Sequence, residues 1–236
     1  MKTKIKNISI LFLLLISSSF NVLGGNGDDQ KKSYPIEGIN GIDINIACEL
    51  YITQDSEESL RIEAKKDIIH YINVEKRDSI LYLTSDKDDI NYNEWDVEVY
   101  LTVKTLKSLN IGGAAKVRNS GTLKGHKLSL DISGAADLEL RMEVKKLLAD
   151  FSGAVKAELE GRADYIVMDM SGASKVDAED LISDAFYLDF SGFGKAEVYA
   201  SKVLKVEMSG MGVVRYSGNP EKVDAGSSGL GVIKPD

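Results

Sequence analysis

From Leu109 onward the chain alternates apolar and polar residues in short bursts, each closed by the same punctuation. Leu128, Leu130 and Ile132 alternate with Ser129, Asp131 and Ser133. Phe186, Leu188 and Phe190 do so with Tyr187, Asp189 and Ser191, and Leu204, Val206 and Met208 with Lys205, Glu207 and Ser209. Period two puts successive side chains on opposite faces, which is a strand with one face inward. A glycine follows each burst, and the alternation resumes beyond it with Val117, Leu138, Ala157, Val176, Ala196 and Val214 as apolar positions. The Ser-Gly-Ala step therefore predicts a corner between two strands. Glycine suits such a corner because it can take positive φ without a Cβ clash.

The bursts form a repeat. Seven segments begin at Leu109, Leu130, Ala149, Met168, Leu188, Val206 and Ala225, from LNIGGAAKV to AGSSGLGVI. They align on Gly113, Gly134, Gly153, Gly172, Gly192, Gly210 and Gly229, at intervals of 21, 19, 19, 20, 18 and 19 residues by subtraction. A unit of this size cannot bury its own apolar face, so the repeats must stack, each strand pairing in parallel with its equivalent about 4.8 Å above. The fold class predicted is all-β, a parallel β-helix (β-solenoid) with coils of about nineteen residues. Ile111, Ile132, Phe151, Met170, Phe190 and Met208, each two before a corner glycine, should form one interior column. Two stretches, Glu143 to Phe151 and Ala178 to Phe186, have helical propensity, which the repeat period overrides.

The first half is less regular. Strand-like runs cover Ile42 to Ile46, Glu49 to Gln54, Leu60 to Ala64, Ile80 to Thr84 and Asp96 to Val103, with a polar loop from Ser85 to Glu94. The run INIACELYI from Ile44 matches LNIGGAAKV in alternation, with Ile46 set against Ile111, Cys48 against Gly113 and Ile52 against Val117. It predicts an early coil of the same solenoid. Nothing between the halves is rich in proline or serine, so one domain is expected.

The N-terminus adds a destination. Lys2, Lys4 and Lys6 precede the apolar run Ile8 to Ile16, and small and polar residues follow. That is the pattern of a secretory signal peptide, too short to span a bilayer as a helix. Cleavage after Gly24 fits, with Ser19 as the alternative. The division is then signal peptide 1–24, polar linker 25–33 and β-helix domain 34–236. An exported protein in the periplasm, on the outer membrane surface or outside the cell follows, with no transmembrane segment. The lone cysteine, Cys48, is far from the cleavage point, cannot close an internal disulfide, and suits a small buried position in a strand. The net charge of -8 argues against nucleic acid as a partner.

These residues carry a resemblance. The opening IEGINGIDINIACELYITQ, the later SLNIGGAAKV, the recurring SGA corners and the ending VDAGSSGLGVIKP resemble the head GIN domain over about Tyr34 to Pro235. That family is described as a putative autotransporter adhesin. The resemblance implies an exported β-helix of the bacterial envelope and brings no catalytic residues to transfer. The chain departs from the pattern at Ala47-Cys48, where a corner glycine is expected.

Chemistry can sit only on outward columns. Asp131, Asp150, Asp169 and Asp189, followed by Glu207, form an acidic column three residues before the corner glycine. Stacked carboxylates repel, and a hard cation such as calcium would relieve that, which makes the four aspartates the calcium candidates. The GGxGxDxUx calcium repeat is absent, and a solvated polar face is the simpler reading of the column. A spacing near 5 Å also matches a retaining glycosidase pair, although every stacked acidic ladder gives it. Lys116, Lys156, Lys175 and Lys195 form a second column, interrupted by Asp137. Serines 133, 152, 171, 191, 209 and 228 sit at the corners and are expected to bond nearby backbone. His70 and His126 belong to no metal motif. Trp95, Tyr92 and Tyr100 cluster by the polar loop and could contact sugar or pack at the rim. No catalytic residue and no cofactor is expected. The leading reading is a non-enzymatic binding or adhesion module for an extracellular glycan or protein. A carbohydrate-active β-helix enzyme and a self-assembling envelope protein, a homo-oligomer joined through open solenoid ends, are the alternatives.

Overall fold

In the computed structural model, which describes residues 29–87 and 97–236, the alternating bursts are strands throughout. The first half comprises β1 (Asp29–Tyr34), β2 (Gly41–Ile44), β3 (Ala47–Gln54), β4 (Ser59–Lys65), β5 (Ile72–Arg77), β6 (Ile80–Ser85) and β7 (Glu98–Val103). The repeats supply β8 (Ser108–Ile111), β9 (Ala114–Ser120), β10 (Leu123–Ile132), β11 (Ala135–Phe151), β12 (Ala154–Met170), β13 (Ala173–Ala178) and β14 (Leu181–Ile182). They end with β15 (Ala185–Phe190), β16 (Phe193–Tyr199), β17 (Val203–Met208), β18 (Met211–Ser217), β19 (Lys222–Ser227) and β20 (Val232–Pro235). Neither stretch with helical propensity is helix: the first is strand throughout, and the second is strand broken at 179–180 and 183–184, because stacking satisfies their backbone from the coils above and below.

The coils stack in parallel and in register. Ile111 pairs with Ile132, Ile132 with Phe151, Phe151 with Met170, Met170 with Phe190 and Phe190 with Met208. All six are at most 2% exposed, so the expected interior column is present. In one coil the neighbouring inward column offsets size: Ala149 lies beside the bulky Phe151, where the coil before it sets Leu130 beside Ile132. Beyond the corner, Val117, Leu138, Ala157, Val176, Ala196 and Val214 form a second fully buried column, also as expected.

The corner glycines have a different cause from the one expected. None has positive φ. Their stacked backbones approach so closely that a Cβ on Gly134 would lie 1.9 Å from the carbonyl oxygen of Gly113. A Cβ on Gly153 would lie 1.9 Å from that of Gly134. The approach is made by hydrogen bonds: Ser152 and Gly153 N–H both donate to the Ile132 carbonyl, at 3.0 and 3.1 Å, and Ala154 N–H donates to Gly134 at 3.0 Å. Glycine is needed here for close packing of backbone on backbone.

The N-terminal half joins the solenoid out of chain order. β2 lies between β6 and β8, and β3 between β7 and β9, all parallel. The chain thus lays down the second rung first, goes out to build the end rung from β6 and β7, and returns past it to β8. Antiparallel strands extend that end: β4 pairs with β7, β1 with β4, and β5 with β6. The linker expected through Ser33 is therefore strand from Asp29. The register expected for INIACELYI is off by two. Ile44, not Ile46, pairs with Ile111, Ala47 pairs with Ala114 and Leu50 with Val117. The corner lacking glycine is Asn45-Ile46, and Cys48 sits one strand position further on, opposite Ala115. The signal peptide, the cleavage point and most of the loop Ser85 to Glu94 lie outside the described residues.

Candidate functional site

The acidic column is assembled as expected. Asp131 pairs with Asp150, Asp150 with Asp169, Asp169 with Asp189 and Asp189 with Glu207. Beyond both ends of the aspartate row the acids have partners. Asp43 accepts from Asn45 and Asn110 at one end, and Glu207 is paired with Lys205 at the other. Among the described residues no ion pair is formed by Asp131, Asp150, Asp169 or Asp189. Partial burial, then the charges of Asp189 and Asp150 on either side, push the Asp169 carboxyl above the usual carboxylate range. The four calcium candidates form a straight row with one carboxylate per coil. No three His, Cys, Asp or Glu side chains among the described residues are grouped to hold a metal ion.

What lies beside the row escaped the sequence reading. On the outer face of three successive strands, alternate residues form a grid. β11 contributes Lys146, Leu148 and Asp150, β12 contributes Tyr165, Val167 and Asp169, and β15 contributes Ala185, Tyr187 and Asp189. Tyr165 and Val167 are exposed large hydrophobic residues on an otherwise polar face. The Tyr165 and Tyr187 rings meet at 5.0 Å with a 35° tilt, and Lys146 Nζ lies 5.1 Å from the Tyr165 centroid. Neither tyrosine hydroxyl is hydrogen-bonded to another described residue, although Lys205 stands beside Tyr187 in the next coil. The result is a flat apolar and aromatic strip bordered on one side by unpaired carboxylates. The signal that could have revealed it is two and four residues before each acid, at outward positions where a solvated face would carry polar side chains.

The other expected groups serve the scaffold. Tyr100 stacks on Tyr51 at 5.0 Å, and Arg61 covers it at 4.2 Å. The Tyr100 hydroxyl donates to Glu98 at 2.6 Å, and that bond, with burial, pushes its pKa up to about 12. Tyr100 is thus committed to internal contacts, while Tyr92 and Trp95 lie outside the described residues. Within the lysine column Asp137 pairs with Lys156 at 3.5 Å, and Lys195 with Glu197 at 2.6 Å. A groove of about 1040 Å³ runs beside that column over a floor of Ala114, Ala135, Ala154 and Ala173. Cys48 is buried, and desolvation, with Glu49 adding to it, pushes its thiol up to about 12, which keeps it protonated and inert. His70 and His126 are exposed.

The family model of the putative auto-transporter adhesin, head GIN domain, matches residues 39–220. The chain belongs to the head GIN domain family. Solved structures agree with its fold. A putative adhesin of Bacteroides fragilis, 23% identical, superposes with a TM-score of 0.84 over 88% of this chain and 97% of its own. A putative adhesin of Parabacteroides distasonis, 18% identical, gives 0.66 over 90% and 98%. A putative lipid binding protein from the same species, 17% identical, gives 0.68 over 90% and 98%. No curated protein matches the chain. As a head GIN domain the chain shares the solenoid fold with these proteins over most of its length.

Proposed function

We propose that the protein is a non-enzymatic binding module of the bacterial envelope, exported by its N-terminal signal, and that its ligand is a neutral or amino-bearing glycan chain. The observation that carries this is the aromatic strip of Tyr165 and Tyr187 bordered by the unpaired carboxylates of Asp150, Asp169 and Asp189. Sugar rings present apolar C–H faces to aromatic and aliphatic side chains and hydroxyls to carboxylates. A flat sheet face offers both along a line, as an extended chain requires. The acids repel anionic polymers, which selects against uronic-acid or phosphate-rich chains. The family's adhesin description supports binding as the activity. The enzyme alternative would need one rung marked by a further acid, base or nucleophile, and the outward neighbours of Asp150, Asp169 and Asp189 are Leu148, Val167 and Tyr187.

A glycan-array screen of the purified protein tests this. Neutral or amino-sugar chains should be retained, and Tyr165→Ala and Tyr187→Ala should each weaken retention about ten-fold, as loss of a buried aromatic contact does. Binding only to acidic glycans, or binding untouched by both substitutions, would sink the assignment.

A further inference from the structure

One outward column changes size along its length. Ala114, Ala135, Ala154 and Ala173 stack in register just past the corners, and the column continues as Phe193 and Met211. Leu230 completes it, two residues before Val232 as Met211 is two before Val213. The alanines floor the groove of about 1040 Å³. The residues that follow stand proud of it: Phe193, Met211 and Leu230 are 62, 48 and 79% exposed. With Val213 and Val232 they form an apolar patch on the side of the solenoid, and patches of this kind on a soluble surface mark contact sites. A trough and a ridge thus lie end to end on one face, with the step between Ala173 and Phe193.

The two columns alongside change charge at the same step. Beside the ridge, Lys195, Arg215 and Lys234 outnumber Glu197. Beside the trough, Asp137, Glu139, Glu158 and Asp177 outnumber Lys156 and Lys175. Some of these charges have no counterpart in the chain. Lys175, Asp177 and Lys234 form no ion pair among the described residues. The face is therefore large and basic on one side of the step, small and acidic on the other.

We propose that this face binds a second copy of the chain, the two solenoids lying side by side and antiparallel about a twofold axis level with the step and at right angles to the coil axis. Both copies rise by the same amount per coil, about 4.8 Å, so the match holds rung by rung. Phe193 then lies on the partner's Ala173, Met211 on the partner's Ala154 and Leu230 on the partner's Ala135, each large residue in the trough of the other copy. In the outer column Arg215 faces the partner's Glu158 and Lys234 faces the partner's Glu139. At the centre Lys195 and the partner's Lys175 lie across from each other. Each is diagonal to an acid of the opposite copy, Lys195 to the partner's Asp177 and the partner's Lys175 to Glu197. Size and charge are thus complementary under one operation, and that is what favours a second copy as the occupant. The twofold uses the face up, so the assembly closes as a dimer. The strip of Tyr165 and Tyr187 lies on the strands before the corner and takes no part.

Sedimentation velocity on the purified protein tests the proposal. A dimer is expected. Phe193→Lys on the ridge and Ala154→Arg in the trough should each raise its dissociation constant about thirty-fold or more, as loss of an interface anchor does. Both side chains are exposed, so circular dichroism should be unchanged. Lys234→Glu should weaken the dimer about ten-fold by facing an acid with an acid, and adding Glu139→Lys should restore it. Lys127→Glu, on another face, should leave the dimer intact. A monomer at every concentration, or a dimer indifferent to both Phe193→Lys and Ala154→Arg, overturns the interface. A charge swap that fails to rescue overturns the antiparallel register, and oligomers that grow without limit overturn the twofold closure. A monomer that floats with phosphatidylglycerol-containing vesicles assigns the patch to lipid and overturns the second copy as its occupant.

Discussion

Asp169 shows what one outward residue can carry in a stacked fold. It stands between Asp150 and Asp189, and its carboxyl is pushed upward by partial burial first and by those two charges next. A raised acid destabilises the fold when ionised. The penalty is fully present above the folded-state value, shrinks as pH falls through it, and is gone below the unfolded-state value, where folded and unfolded chains both hold the proton. Asp169→Asn should therefore raise the melting temperature at neutral pH, by the equivalent of about 0.5 kcal/mol for relief of cross-strand like charges. The gain should vanish in acid and shrink in high salt. Thermal melts of both proteins across pH check this. An equal gain at all pH values would mean that shape, not charge, sets the effect. Melting curves with calcium and with chelator separate a bound cation from a bare row, since a ligand of the folded state alone raises the melting point.

At the scale of the element, the corner explains why the repeat was legible at all. A Cβ on Gly153 would sit 1.9 Å from backbone that cannot swing aside, so each coil from Gly113 to Gly229 needs a glycine at the same place. That constraint prints the period into the sequence. Gly153→Ala should cost about 3 kcal/mol, at the upper end for overpacking, because the obstructing atom is a carbonyl oxygen. Gly125→Ala, in β10 with its nearest atom 3.8 Å away, should be neutral or stabilise by about 0.5 kcal/mol. Denaturant midpoints of the two variants give the comparison, and equal midpoints would refute the close-approach reading. The same logic shows where legibility stopped. Period two distinguishes inward from outward positions but is blind to a slip of two residues. At Asn45-Ile46 no glycine marks the corner, so alternation alone placed Ile46 where Ile44 belongs.

For the whole molecule, parallel stacking, register and core followed from local repeats, while the N-terminal end did not. β6 and β7 sit outside β2 and β3 although they follow them in the chain. Such order is set by which apolar faces finally meet, and no local pattern records it. The tyrosine strip was missed for a related reason: Tyr165 and Tyr187 occupy different places in their repeats and become neighbours only when coils stack. A stacked molecule also fails locally, because each coil touches only its neighbours. Phe151 is fully buried and is flanked by Ile132 and Met170 in the coils on either side. Phe151→Ala should cost about 3–5 kcal/mol through the cavity it leaves. Native-state hydrogen exchange should show the lost protection concentrated in the amides of β10, β11 and β12. The rungs of β2 and β6 at one end and β17 at the other should keep theirs, since no contact with the cavity reaches them. If all amides lose protection equally, the solenoid unfolds as one unit, and coupling extends well past adjacent coils.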